Sequence, residues 1–176
     1  MMSIKFIKQK SRAYIVVVGR SDLVRLQFCG VGKKFLIPHD LTHLIVESRL
    51  SMRHGFWGCV DDGALFSGMS IVKGRQKAHA KSKSQQVIKK AHQQLRQAEC
   101  LVRVFDEIVT AKLNLIEARR HCSQISAEIE PELSNSAILD ICSTLETFQS
   151  RWQALDIEES IKLSWNRESP SKSLGL

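Results

Sequence analysis

The sequence predicts an α+β protein in which an antiparallel sheet comes first, a helical hairpin follows, and one last strand returns to the sheet. Three observations support this class. The first 37 residues alternate apolar and polar side chains or are rich in β-branched residues, which is typical of strands. The segment 82–122 contains neither proline nor glycine and has an apolar residue every seven positions, which is typical of a helix. A second helical stripe at 138–155 is followed by an alternating segment at 160–165.

The N-terminal third is predicted to form an antiparallel β-meander. Turns are expected at 19–22 and 30–32, where glycine and polar residues interrupt the apolar runs. The predicted strands are 3–8, 12–18, 23–29 and 33–37, with one more short strand at 70–73.

A short helix is predicted from Pro38 to about Leu50. Proline suits the first helical position because its φ is already helical, and Asp40 lies in the first turn, where the helix dipole favours negative charge. The apolar residues of this segment recur at helical spacing: Leu41, Leu44 and Ile45. The glycine- and aromatic-rich segment 55–66 is predicted to be a packed loop with a short helical piece.

The apolar stripe at 82–122 would form a helix about 60 Å long at about 1.5 Å per residue. A globule of this size has a radius of gyration of only about 16 Å, so the helix is expected to bend or to project. Pro131 marks the turn of the hairpin, and Ser134 or Ser136 is expected to cap the second helix. We predict a single domain at 1–166, with a β-rich part at 1–73, a helical hairpin at 77–156, a closing strand at 160–165 and a disordered tail at 167–176.

Composition and cysteine content predict a cytoplasmic protein without a membrane span. The chain has 176 residues, of which 43% are hydrophobic and 25% charged, which is enough to form an ordinary globular core. The five cysteines are odd in number and contain no Cys-x-x-Cys pair, which favours reduced thiols over disulfides. The N-terminus has no apolar signal segment, and the longest apolar run is far shorter than the about 20 residues that cross a bilayer.

Positive charge is concentrated in one part of the chain. The formal net charge is +8, and the window 73–103 has nine basic residues and one acidic residue, Glu99, a difference that accounts for the whole net charge. The basic residues are Lys73, Arg75, Lys77, Lys81, Lys83, Lys89, Lys90, Arg96 and Arg103. Such a one-sided field favours an anionic partner, nucleic acid or an acidic protein. The window has no aromatic residue, so nucleic acid would be bound through its phosphate backbone.

The short helix contains the residues most typical of a chemical site. His39 and His43 are four residues apart, so their imidazoles share a helix face and could bind zinc or another divalent metal. The order His-Asp-x-x-His resembles the His-Glu-x-x-His zinc helix and puts Asp40 in the place of the general base. Glu47 is a further candidate ligand beside His43, although about 12 Å along the axis separates it from His39.

The third ligand of such a metal site has no evident motif, and the candidates elsewhere in the chain are His54, Asp61 and Asp62. A structural role remains an alternative, in which the two histidines are polar groups of a capped helix or hold the Trp57 loop. A cysteine nucleophile at Cys59 is another, although free cysteines are usually small buried hydrophobes.

The segment 37–47, together with Gly55-Phe-Trp-Gly58 and Gly63-Ala-Leu-Phe66, resembles a group of small bacterial proteins of unknown function. We expect the resemblance to extend to the Trp152 helix and the strand at 161–165, and it implies a shared fold. His39-Asp40-x-x-His43 is also loosely similar to the metal motif of the coenzyme Q biosynthesis protein family. That similarity implies a bound metal, but the more distant acidic residue of that motif has no clear match here.

Two functions are therefore predicted. The first, favoured by the charge distribution, is a non-enzymatic binding or scaffold module that presents a basic helical arm to an anionic partner. The alternative is a metal-dependent enzyme, a hydrolase, that uses the helix with His39, Asp40 and His43. A homodimer formed along the long helical seam is a third possibility.

Overall fold

The computed structural model describes residues 1–10, 13–31, 36–74, 78–125, 133–166, 168–170 and 174. It confirms the predicted α+β class, with an N-terminal meander, a helical C-terminal half and a final strand that returns to the sheet. The strands are β1 (Met2–Lys8), β2 (Ala13–Gly19), β3 (Arg25–Val31), β4 (Ser70–Lys73) and β5 (Ser160–Trp165). The helices are α1 (His39–Arg49), α2 (Phe56–Asp61), α3 (Ala80–Lys90), α4 (His92–Ala111), α5 (Leu115–Ile125) and α6 (Asn135–Ala154).

The five strands form one antiparallel sheet in the order β4-β3-β2-β1-β5. Successive side chains of a strand point to opposite faces, so one apolar face results from the alternation in the sequence. Its buried residues are Met2, Ile4, Phe6, Tyr14, Val16, Val18, Leu26, Phe28, Ile161 and Trp165. The strand predicted at 33–37 falls mostly outside the described residues, and residues 36 and 37 form a bend.

Helix α1 lies at the centre of the molecule. Residues 41–48 are buried without interruption, because α1 packs against both α4 and α6 in addition to the core of the sheet. The Tyr14 hydroxyl of β2 donates a hydrogen bond of 2.5 Å to Asp40 Oδ2 and connects the first turn of α1 to the sheet. This position explains how one short helix can present side chains to several neighbours at once.

The sheet also determines where α6 ends. Lys8 Nζ, at the end of β1, donates to the carbonyl oxygens of Trp152, Gln153 and Leu155 at 3.2, 3.2 and 2.6 Å. A cation at a helix C-terminus satisfies free carbonyls and is favoured by the helix dipole. The chain then turns directly into β5, which pairs with β1.

The segment predicted as one long helix at 82–122 is interrupted twice, at Ala91 and at residues 112–114. Lys112 adopts a left-handed conformation with φ 52°, and the Leu113 amide donates to the Ile108 carbonyl, which closes α4. Asn114 Oδ1 then accepts from the Glu117 amide, while Glu117 Oε2 accepts from the Asn114 amide. This reciprocal capping starts α5 and turns the chain without proline or glycine.

Two further expectations concern the chain end and membranes. Of the tail predicted to be disordered, the structure describes residues 168–170 and 174, of which Pro170 and Leu174 are buried. Among the described residues, none of the helices has the length and apolar character needed to cross a membrane.

Candidate metal centre between helices α1 and α4

Three side chains with metal-ligating atoms converge between α1 and α4. They are His39 and His43 of α1 and Glu99 of α4, and one ligand atom from each lies within 4.8 Å of the others. His43 Nε2 is 3.4 Å from Glu99 Oε1, and the two imidazole centroids are 4.8 Å apart. Ligand atoms around tetrahedral zinc lie about 3.3 Å from one another, so small side-chain rotations would close this set around one ion.

The ligand residues differ in exposure, so the site is closed by protein on one side and open to solvent on the other. The side chain of His43 is 2% exposed, whereas that of Glu99 is 61% exposed. His43 is buried because α4 packs over α1, and Glu99 lies beside the buried Ala98 at the rim of that contact. Solvent therefore has access to the cluster from the side of Glu99.

Glu47 orients His43 and does not join the ligand cluster. Its carboxylate is fully buried, and Oε1 lies 3.0 Å from His43 Nδ1. The same carboxylate accepts hydrogen bonds from the amides of Phe56 at 2.8 Å and Trp57 at 3.0 Å, which are free donors at the start of α2. With Nδ1 held by Glu47, Nε2 of His43 faces Glu99, which is the carboxylate–histidine arrangement common behind metal ligands.

Two glycines of the Gly-Phe-Trp-Gly segment make this packing possible. A Cβ on Gly55 would overlap the Glu47 carboxyl group, and a Cβ on Gly58 would overlap the Arg53 backbone carbonyl. The first glycine leaves room for the buried carboxylate, and the second lets α2 approach the loop that precedes it. The aromatic rings between them complete the packing, since Phe6 meets Trp57 edge to face with centroids 6.0 Å apart.

Replacing Gly58 by alanine is expected to lower the free energy of unfolding by about 3 kcal/mol, because the added methyl group must displace backbone. Gly68→Ala is the matched control, since its Cβ would meet nothing within 4 Å and only its positive φ of 85° opposes the change. That substitution is expected to cost about 1 kcal/mol. Urea unfolding measures both, and equal costs would contradict the close approach at Gly58.

The charges around His43 decide its protonation. Burial would lower the pKa of His43, but the hydrogen bonds and negative charges of Glu47 and Glu99 outweigh it and raise the pKa to about 9. The hydrogen bond with His43 lowers the pKa of Glu99, and burial followed by repulsion from His43 lowers the pKa of His39. In the metal-free protein at neutral pH, His43 is thus an imidazolium between two carboxylates, and His39 is neutral. A divalent cation would replace the His43 proton.

Asp40, predicted as a general base, is engaged elsewhere. Its carboxylate accepts from the Tyr14 hydroxyl, and its backbone carbonyl accepts from Trp57 Nε1 at 3.0 Å. Burial and the Asp40 charge both raise the pKa of Tyr14, so the phenol stays a donor to this carboxylate. The Trp57 loop is therefore held by Asp40 and Glu47, while His43 contacts the ring of Phe56, with centroids 5.6 Å apart.

The other predicted ligands do not belong to the cluster. His54, Asp61 and Asp62 are not among the three converging residues, and His54 Nδ1 lies 3.9 Å from Asp62 Oδ2 at a different cavity. The thiol of Cys59 is buried and donates to the His54 carbonyl at 3.6 Å, which gives this cysteine a structural contact.

Sequence reasoning missed Glu99 as a ligand. One feature of the sequence could have indicated it. Glu99 is the one acidic residue among nine basic residues in the window 73–103. A lone carboxylate in such a segment is explained once its side chain is seen to face His43. No spacing rule connects residue 99 to residues 39 and 43, because the contact is made by packing of separate helices.

The predicted basic residues lie mainly on α3 and α4. Arg75 and Lys77 fall outside the described residues, and the remaining seven are exposed: Lys73, Lys81, Lys83, Lys89, Lys90, Arg96 and Arg103. Those of α3 do not form one stripe. Lys83 and Lys90 are seven residues apart and share a helix face that lines a cavity, whereas Lys81 and Lys89 do not line it.

No family model, curated protein or solved structure matches this chain. The resemblances to the small bacterial proteins and to the coenzyme Q biosynthesis motif therefore stay predictions.

Proposed function

We propose that the protein binds one divalent transition-metal ion, most naturally zinc, through His39, His43 and Glu99. The observation that supports this is the convergence of two imidazoles and one carboxylate within 4.8 Å. His43 is oriented from behind by the buried Glu47 carboxylate. A polar cluster of this composition on a buried floor matches the chemistry that zinc requires.

The number of ligands distinguishes the kind of metal site. Structural zinc sites use four protein ligands, whereas catalytic sites use three and leave a position for water or substrate. Among the described residues three side chains converge, and the exposed Glu99 leaves the site accessible. Zinc in such a site supplies Lewis acidity and an activated water, which is consistent with the predicted hydrolase. The residues of this chain supply the ligands, the orientation of His43 and the restricted access.

Zinc titration tests the metal proposal directly. Protein purified without a histidine tag and stripped with a chelator is expected to bind one equivalent of Zn²⁺ in isothermal titration calorimetry, with a Kd of about 1 μM or tighter. Mg²⁺ in excess should not compete, because it prefers oxygen ligands. Absence of saturable zinc binding, or effective competition by Mg²⁺, would refute the proposal.

A second proposal concerns the exposed basic residues of α3 and α4. The six described basic residues of these two helices are all exposed, so a polyanion could reach them without a change of fold. We propose that they bind an anionic macromolecule through its backbone charges, with strong salt dependence.

The double substitution Lys81→Glu and Lys89→Glu is expected to lower the salt concentration at which the protein elutes from heparin or DNA columns. Elution of the unmodified protein at low salt would argue against this function, and sedimentation velocity tests the predicted homodimer.

A further inference from the structure

The described part of the molecule contains a cavity of about 460 Å³ between α2 and the α3–α4 junction. Its polar and reactive lining residues are His54, Cys59, Asp62, Lys83, Lys90 and Gln94. This volume is in the range of small-molecule sites, about 300–1,000 Å³. We refer to it as the α2–α3 cavity, and it shares no residue with the metal-ligand cluster.

Two basic side chains line the α2–α3 cavity. Lys83 and Lys90 lie seven residues apart on one face of α3, so both side chains reach the same side of the helix. Lys83 Nζ lies 3.6 Å from the position of a Cβ built on Gly63, and Arg20 Nη1 lies 3.7 Å from that position. Arg20 is thus a further cation in the neighbourhood of Lys83.

Of these three cations, Arg20 is paired with a carboxylate. The guanidinium of Arg20 pairs with Asp22. Among the ion pairs formed by described residues, by contrast, none involves Lys83 or Lys90. The acidic lining residue, Asp62, faces His54 at 3.9 Å. Two ammonium groups that line one cavity and have no carboxylate partner among the described residues favour a bound anion.

The other residues that line the cavity indicate which chemical groups the ligand has besides its negative charge. Gln94 and His54 offer hydrogen-bonding groups, while Val87, Ala91 and Cys59 supply an apolar wall. Asp62 would repel a second negative group at its end of the cavity and would accept from a hydroxyl. We propose that the α2–α3 cavity is a binding site for a small organic phosphate that has a neutral, hydroxyl-bearing body.

Glycerol 3-phosphate, with glycerol and inorganic phosphate as comparisons, is a suitable probe. Backbone amide NMR of the full chain in the presence of chelator is expected to show saturable shifts at Gly63 and Gln94 with glycerol 3-phosphate. Phosphate should bind more weakly, and glycerol should not bind. The chelator removes any contribution of metal, so this experiment can fail or succeed independently of the zinc proposal.

Charge-neutral variants separate a built site from a general basic surface. The double substitution Lys83→Met and Lys90→Met is expected to weaken binding of glycerol 3-phosphate by about tenfold or more. The matched pair Lys81→Met and Lys89→Met removes the same charge from α3 outside the cavity and should leave the Kd unchanged within about twofold. Equal weakening by both pairs would mean that the basic surface attracts anions without a site. That result, or absence of saturable shifts in the unmodified protein, overturns the proposal.

Discussion

Replacing Glu99 with glutamine is expected to weaken zinc binding by about 100-fold or more while the fold stays intact. Glutamine keeps the size of the side chain but removes the one anionic ligand from the cluster, and losses of this order are typical even for partners behind metal ligands. The side chain of Glu99 is 61% exposed. Its replacement by glutamine therefore leaves few buried polar groups without a hydrogen-bond partner. Calorimetric titration of Zn²⁺ into the metal-free variant measures the change.

The matched control is Glu146→Gln, which removes one negative charge from an exposed position on α6. Its zinc affinity should equal that of the unmodified protein within about twofold, since an exposed distant charge contributes little. If Glu99→Gln bound zinc as tightly as this control, the ion would have to be held by other residues, and the assignment of His39, His43 and Glu99 would be wrong.

Replacing Glu47 with alanine is expected to destabilise the protein by about 3–5 kcal/mol. The fully buried carboxylate accepts from two backbone amides and neutralises the imidazolium of His43. Its removal leaves the buried Trp57 amide and the partly buried Phe56 amide without this acceptor. It also leaves the buried imidazolium with one carboxylate fewer, and each of these losses costs free energy. Urea unfolding in the presence of chelator measures this loss without a contribution from bound metal.

Two variants make this stability prediction specific. Glu47→Gln keeps an oxygen that can accept a hydrogen bond from one of the two amides. Its free energy of unfolding should therefore fall by less than that of Glu47→Ala. Glu146→Ala removes an exposed carboxylate and should change stability by less than about 0.5 kcal/mol. A loss below about 1 kcal/mol for Glu47→Ala would show that the network around α2 does not depend on this side chain.

Much of the fold was predictable because the local sequence patterns and the tertiary packing favour the same secondary structure. Strand alternation predicted β1, and the apolar spacing predicted α1 and α6, since these patterns follow directly from strand and helix geometry. The interruptions of the 82–122 segment were harder to foresee. One of them has a readable signal in Asn114 and Glu117, which is a capping pair spaced by three residues inside a run without proline or glycine.

The candidate site was half predictable for a similar reason. His39 and His43 share a face because a helix brings residues four apart together, which spacing alone reveals. Spacing also suggested Glu47 as a ligand and Asp40 as the general base, whereas the structure has Glu47 behind His43 and Asp40 hydrogen-bonded to Tyr14. The choice between two nearby carboxylates depended on where α2 and β2 lie.

The amino-acid sequence by itself determined the class of fold, the histidine pair on one helix face and the segment that contains the excess positive charge. These properties depend on periodicity and composition, which act over a few residues. Only the tertiary structure decided that Glu99 meets His43 and that Lys83 and Lys90 face a cavity. Contacts between distant segments depend on how helices pack, and packing is determined by the shape of the whole core.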